Sequence, residues 1–500
     1  MRRKCWRLLG AVAASALAVV AATGSGMAAG AATAAGPEVK LVVAQKSITL
    51  ATQNGSVYMD PGIWVAALKS RLQFDVQRRS YRTPLALTQV IHAPGEATRV
   101  VPFPSTDIGI EPTGLLNFFR LTVRDPSGAV VSSTLQPFCP DGLSPERASP
   151  DSSSTSPYPT LCSADPFPKS LVWGVGQGWA VDPLASSCLS LPLGAGKYTA
   201  TETITPGYAR RLHISAADAT ATVKVDAVAG TATCAQSAPG ASASPLRGGL
   251  PKSAPTPLAN VVSQQVKTVS HPPRSALPDL VPLPSWGIST STTNAGHDLL
   301  NFGATVWDGH APLDVVGYRS HGAPIMKAYQ YFWRNGKVIG RTRAGTMGFD
   351  TAKGHNHWHF EQFAQYRLLN AAKRLVLKSG KVGFCIAPTE PVDLLEPHAV
   401  LSPANLGISG HCGVPTSLSV QEEMPVGWGD TYFQTVAGQS FNITSLPDGT
   451  YYIEIVANPF RVLRESNTSN DSSLRKVILG GTPGHRTVTV PAWHGIDPES

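Results

Sequence analysis

Three of the 13 histidines fall within five residues, in Gly354-His355-Asn356-His357-Trp358-His359. On a β-strand successive side chains face opposite ways. Histidines at i, i+2 and i+4 would therefore line one face at roughly 6.5–7 Å intervals, with Asn356 and Trp358 turned away. Neutral imidazole is a favoured ligand for copper, nickel, zinc and iron. Convergent imidazoles with no thiolate or carboxylate beside them suit Cu(II) or Zn(II) best. Two chemistries stay open: copper redox chemistry, and a zinc-activated water of the hydrolase kind. A polar strand face that merely carries histidines is the bland alternative.

Further blocks follow in order. The histidine segment, with Phe363 and Tyr366-Arg367-Leu368-Leu369 beyond it, resembles the copper motif of the lysyl oxidase family. Lys381-Val382-Gly383-Phe384-Cys385 resembles the segment whose lysine enters that family's quinone cofactor. Asp430-Thr431-Tyr432 resembles the segment whose tyrosine becomes the quinone. The resemblance covers roughly residues 277–478. It implies copper on His355, His357 and His359, and a lysine tyrosylquinone built from Lys381 and Tyr432 as the catalytic pair. The implied activity is oxidation of primary amines, peptidyl lysine or small amines, to aldehydes, with O2 consumed and H2O2 and ammonia released. Such a lysine must be partly neutral to attack the ring, which partial burial provides. Asp430 and Glu361 are acids near these segments in sequence, and neither is assigned as the general base.

The resemblance also implies calcium, held by Asp279, the backbone carbonyl of Leu280, Glu465, Asn467, Asn470 and Asp471. An oxygen-rich run suits that ion, although an Asx-rich turn reads the same way. Asn467 replaces an acid of the family pattern, and Asp471 an amide. Animal members carry extra cysteines around the histidine motif, whereas Gly354 stands just before His355, and the interval from His359 to Phe363 is one residue short. These departures leave the amine substrate open.

The elements that must position these residues read as strands. Only 15% of the chain is charged, while Gly (46) and Pro (42) are plentiful, a balance that suits an all-β, turn-rich protein. In the first half, about residues 38–232, Leu72, Phe74 and Val76 alternate with polar neighbours, as do Ala221, Val223, Val225 and Ala227. The expectation is an immunoglobulin-like β-sandwich of unknown role. His92 and His213 are isolated, and the glycines of Trp173–Gly178 lack the context of a dinucleotide site. In the second half, 277–480, Ala328–Trp333 runs into Arg334-Asn335-Gly336-Lys337, a strong hairpin signal. Leu446–Tyr451 repeats a turn-then-tyrosine pattern found at Leu191–Tyr198. A second β-sandwich, the lysyl oxidase-like copper domain, is expected there, with a tail over 481–500.

Residues 1–35 read as a secretory signal. Arg2, Arg3, Lys4 and Arg7 precede an apolar run, Leu8 to Ala22, that is short for a membrane span, and small residues follow. Residues 235–276, rich in Ala, Ser and Pro, read as a flexible linker. Six cysteines lie beyond the signal, four before the linker and two after it. Cys385–Cys412 is the bridge expected in the second half. Cys139, Cys162, Cys188 and Cys234 permit three connectivities. The net charge of +8 comes without a nucleic-acid motif and reads as a solvated basic surface. The chain is expected to be secreted or at the cell surface. The competing reading is a non-catalytic, metal-stabilised immunoglobulin-like binding protein of the cell surface.

Overall fold

The alternating pattern translates directly into sheets. The computed structural model describes residues 39–92, 97–103, 108–185, 189–231, 266–320, 322–351, 356–381, 383–408 and 411–499. The signal segment, most of the linker, Cys188, Cys234 and His355 lie outside the described residues. What is described is almost entirely β. Leu72, Phe74 and Val76 are fully buried while Gln73 and Asp75 are only half-buried. Val223, Val225 and Ala227 are buried on the strand Thr220–Ala229.

The first half holds sheets of four, eight and four strands. One four-stranded sheet runs from Ser170–Val175 through Leu72–Gln77 and Ala86–Ile91 to Arg99–Phe103. The second half holds sheets of six, five and five strands. Its core is the layer where these sheets face one another, with Phe302, Met347, Trp358, Phe360, Leu368, Phe384, Ile453 and Val477 all buried. Truncating a fully buried aromatic such as Trp358 to alanine costs about 3–5 kcal/mol. The Asn335-Gly336 hairpin forms as expected. Both residues have positive φ (50° and 70°), as a type I′ turn requires. Tyr198 and Tyr451 each donate to a carbonyl four residues upstream, Gly194 O at 3.2 Å and Pro447 O at 2.9 Å. Cys139 is bonded to Cys162 and Cys385 to Cys412.

The described residues form one compact unit. The two halves meet through the segment 163–170, which lies in the Ser/Pro-rich stretch of the first half. The Lys169 N–H donates to Val392 O (2.8 Å), and Leu394 N–H donates to Ser170 O (3.0 Å). Lys169 Nζ pairs with Asp393 at 2.8 Å, and the Ser170 hydroxyl also donates to that carboxylate. Tyr81 and Phe167 of the first half pack edge-on against Trp493, which lies in the last twenty residues.

One feature of the first half carries a charge penalty. Glu202 is buried, and neither of its carboxyl oxygens has a hydrogen-bond partner among the described residues. Burial, with the Asp182 and Asp60 charges adding to it, pushes Glu202 from 4.5 up to about 8. The unfolded chain releases this proton near the ordinary value while the folded chain keeps it. Stability is therefore lost as pH rises from the ordinary value towards about 8. Glu202→Gln is expected to remove that slope. In thermal melts the variant should gain roughly 5 °C or more over wild type at alkaline pH and little near pH 5. A gain independent of pH would contradict the assignment.

Candidate active site and metal centres

The strand His357–Phe360 is the floor of the site. Trp358 and Phe360 turn inward and are fully buried, and His357 and His359 take the opposite face. One edge pairs with the strand Lys337–Asp350, placing Asp350 opposite His357 and Gly348 opposite His359. The other edge is covered by two separate segments. Trp358 N–H donates to Cys412 O (2.9 Å), and Phe360 exchanges backbone hydrogen bonds with Phe384 (2.8 and 3.0 Å). The Cys385–Cys412 disulfide joins those two segments.

Of the three histidines expected on one strand face, the described residues include His357 and His359. Asn356 has a φ of 54°, in the left-handed region, and the strand begins after it at His357. The third histidine, His355, lies outside the described residues. His357 and His359 do converge, with Nε2 atoms 2.9 Å apart. Two cis ligands on metal–nitrogen bonds of about 2.0–2.1 Å would stand about 2.9 Å apart, so the pair fits a common metal ion. The buried His359 turns its other nitrogen, Nδ1, toward Asp350 Oδ2 at 3.4 Å. A carboxylate there favours the tautomer with the proton on Nδ1, the form in which Nε2 can ligate a metal. Among the described residues no group of three or more His, Cys, Asp or Glu is arranged to hold a metal.

Lys381 and Tyr432, 51 positions apart in sequence, come together. Lys381 Nζ stands 4.1 Å from the centroid of the Tyr432 ring and 5.0 Å from that of Phe384. Lys381 is buried. That burial pulls its amine from 10.5 down to about 8, against the opposing pull of the Asp430 and Asp350 charges. Two glycines permit the approach. A Cβ on Gly383 would lie 2.7 Å from His359 Cβ. One on Gly438, whose φ is +85°, would lie 3.0 Å from Lys381 Cβ. Tyr432 ends the strand Trp428–Tyr432. Its Oη accepts from Cys385 N–H at 2.8 Å, and the Phe384 ring meets it edge-on. Burial holds the phenol well above its ordinary value, so it is protonated at neutral pH. Gln439 Nε2 donates to Tyr432 O (2.8 Å).

Asp430 shares the face of Tyr432, two residues away. It is buried, Oδ2 has no partner among the described residues, and burial raises its carboxyl well above the ordinary range while Lys381 opposes. Glu361, the other acid near these segments, accepts instead from Thr346 Oγ1 at 2.6 Å. Sequence reasoning missed Asp350 and Glu422. Asp350 is visible only once the register sets it opposite His357. Glu422 had a signal: it interrupts an apolar row, between Val420 and Met424 on alternate positions of Ser419–Met424. It is fully buried, with Oε2 accepting from Ile386 N–H (3.0 Å).

The residues suggested for calcium also gather. Leu280 N–H donates to Glu465 Oε2 (3.0 Å), and Asn470 Nδ2 donates to Asp279 Oδ1 (3.0 Å). Asn470 Oδ1 and Asp471 Oδ1 are buried without hydrogen-bond partners among the described residues. Burial, then the Asp471 and Asp279 charges, push Glu465 up to about 8, with bonds from Asn458 and Leu280 opposing. Orphaned oxygens beside crowded acids fit a hard cation. Asn467 does not join them so readily, because its Oδ1 accepts from the Ser469 N–H and hydroxyl.

Two outcomes follow. Asp350→Asn is expected to weaken Cu(II) binding, followed by isothermal titration, by about 10–100-fold; unchanged affinity would remove Asp350 from the metal's support. Calcium is expected to raise the melting temperature of the wild type but not of Asp471→Ala. Equal shifts in both would move the ion elsewhere.

The Lysyl oxidase family model matches residues 325–486. Lysyl oxidase homolog 2 of Gallus gallus is 28% identical over 157 residues, which is 31% of this chain and 18% of that protein. Lysyl oxidase homolog 4 of Homo sapiens is 27% identical over 157 residues (31% and 18%), and that of Bos taurus 29% over 138 residues (27% and 16%). The matched segment thus spans less than a fifth of these relatives' length. That segment, which holds His357, His359, Lys381, Asp430 and Tyr432, is the part of this chain that matches the lysyl oxidase family.

Proposed function

We propose that the protein is an exported, copper-dependent amine oxidase whose cofactor is a lysine tyrosylquinone made from Lys381 and Tyr432. The observation that carries this reading is the buried Lys381 amine held 4.1 Å from the Tyr432 ring centroid. His357, His359 and His355 would hold copper. With the quinone, copper would supply an electrophilic carbonyl and an electron acceptor for primary amines. The disulfides and the apolar segment after Arg2, Arg3 and Lys4 support export. Among the described residues no helix is long and apolar enough to cross a membrane.

The chain's own residues prepare the reaction. With its amine lowered to about 8, Lys381 is neutral in about one molecule in five near pH 7.4, whereas an exposed lysine is almost wholly charged. The neutral amine has the lone pair needed to form a C–N bond to the oxidised Tyr432 ring. The balance is one C–N bond and one new ring oxygen gained and four hydrogens lost. Two O2 molecules take up the electrons and leave as one water and one H2O2. Each catalytic turnover then takes a primary amine, O2 and water to an aldehyde, ammonia and H2O2. Asp430 is the residue to take the proton from the substrate carbon, because its Oδ2 has no partner among the described residues and lies on the face of Tyr432. Burial keeps the solvent from competing. The substrate class is a primary amine, free or on a lysine-bearing peptide or protein. The departures around the histidine motif favour no single one, and nucleic acid has no place in the reading.

The test is a mass spectrum of tryptic peptides after copper loading in air. The Lys381 and Tyr432 peptides are expected to be joined, with one oxygen gained and four hydrogens lost. Lys381→Arg and Tyr432→Phe should abolish both the cross-link and amine-dependent H2O2 release. Separate, unmodified peptides from fully copper-loaded protein would sink the oxidase reading in favour of a metal-stabilised binding module. Bound zinc without redox activity would point to hydrolysis.

A further inference from the structure

The strand Trp428–Tyr432 presents two faces. Asp430 and Tyr432 turn toward the Lys381 amine, and Thr431 between them turns the other way, as alternation requires. On that far side Thr431 Oγ1 lies 2.7 Å from Thr305 Oγ1, and the Thr305 hydroxyl donates to Asp165 Oδ2 at 2.6 Å. Thr305 has a single hydroxyl proton, which is committed to the carboxylate, so Thr431 is the donor in its bond to Thr305. All three residues are buried. Asp165 belongs to the first half of the chain and is itself fixed, its Oδ1 accepting from Phe167 N–H at 2.7 Å.

The same short segment grips the neighbouring strand. Glu390 pairs with Gly429 on the edge opposite Asp298–Asp308, and its Oε2 accepts from Ala164 N–H at 3.0 Å. Residues 163–167 thus hold the Tyr432 strand from behind and also the strand beside it. Asp165 and Thr305 lie outside the segment matched to the lysyl oxidase family, and Thr431 lies inside it. The brace therefore comes from a part of the chain that the family match does not include.

We propose that the first half is a positioning lobe for the active site, with Asp165 setting the place of Tyr432 through Thr305 and Thr431. The brace matters because Lys381 Nζ must meet one ring carbon to form a bond, and a displacement of about 1 Å in such an approach can cost about 100-fold in rate. That consequence rests on the oxidase reading; the mechanical claim does not. Asp165 acts through other residues and never touches substrate.

The experiment compares full-length wild type with Asp165→Ala, Asp165→Asn, Thr305→Val and Lys169→Ala. The last removes an ion pair of the same contact between halves but not the brace. Hydrogen exchange read by mass spectrometry needs no activity. In Asp165→Ala and Thr305→Val, peptides covering 428–433 should exchange about 10-fold faster, with those covering 357–360 unchanged. Lys169→Ala should match wild type, and Asp165→Asn, which keeps an acceptor, should fall between. Cross-linking of Lys381 to Tyr432 after copper loading should slow by about 10-fold in the same two variants at equal copper content. In the matured fraction, KM should stay near wild type. Unchanged exchange at 428–433, or exchange accelerated throughout the protein, would overturn the proposal. If wild type itself forms no cross-link, the oxidase reading fails and the exchange data still decide the brace. Should Asp165→Ala fail to fold, Thr305→Val carries the comparison.

Discussion

An amine and a carboxyl group taken out of water both lose hydration that only a partner can replace. Lys381 and Asp430 share that burden on one side of the Tyr432 ring. Burial lowers the lysine and raises the aspartate, and each opposes the shift of the other. The lysine amine, lowered to about 8, is thereby able to give up its proton close to neutrality. Much of the second half follows from this constraint. The site must sit inside a sandwich to be dry, and it must be lined by rigid strands so that the amine stays over the ring.

The backbone devices serve the same end. Gly383 and Gly438 let the lysine segment lie flat against His359 and against the turn after Tyr432, where a methyl group would meet atoms at 2.7 and 3.0 Å. Asp350 touches His359 and also favours the charged form of Lys381, which ties the histidine pair to the lysine electrostatically. Three neighbouring aromatic rings, Phe384, Phe363 and Tyr366, pack edge-on around the site and leave little room for disorder.

Much of the architecture was legible because it is written locally. Period-two alternation located Leu72–Gln77 and Thr220–Ala229, Asn335-Gly336 marked its hairpin, and the cysteine count after the linker left one bridge, which forms. The approach of Lys381 to Tyr432 was legible only through resemblance, since no local pattern joins positions 51 apart. Other features were hidden for physical reasons. Asn356 adopts a left-handed φ that asparagine tolerates, so a strand that alternation would carry through it begins at His357. Asp165 sits in a stretch rich in Ser, Pro and Asp that reads as loop. Its partner across the two halves, Thr305, lies 140 positions away, and periodicity says which face a residue takes but not which faces meet.

The disulfide between Cys385 and Cys412 makes one edge of the histidine strand depend on sulfur chemistry. It joins the two segments that cover the free edge of His357–Phe360, and one of them carries Lys381 four residues earlier. Where thiols are kept reduced, those segments are no longer tethered to each other. The strand would then keep its hairpin partner while its outer edge depended on hydrogen bonds alone. Sulfur oxidation thus completes the support of the strand that carries His357 and His359. That support is complete only in a compartment that oxidises cysteines. Under the proposed oxidase reading, a chain retained among reduced thiols would lack that support and release no peroxide where it was made.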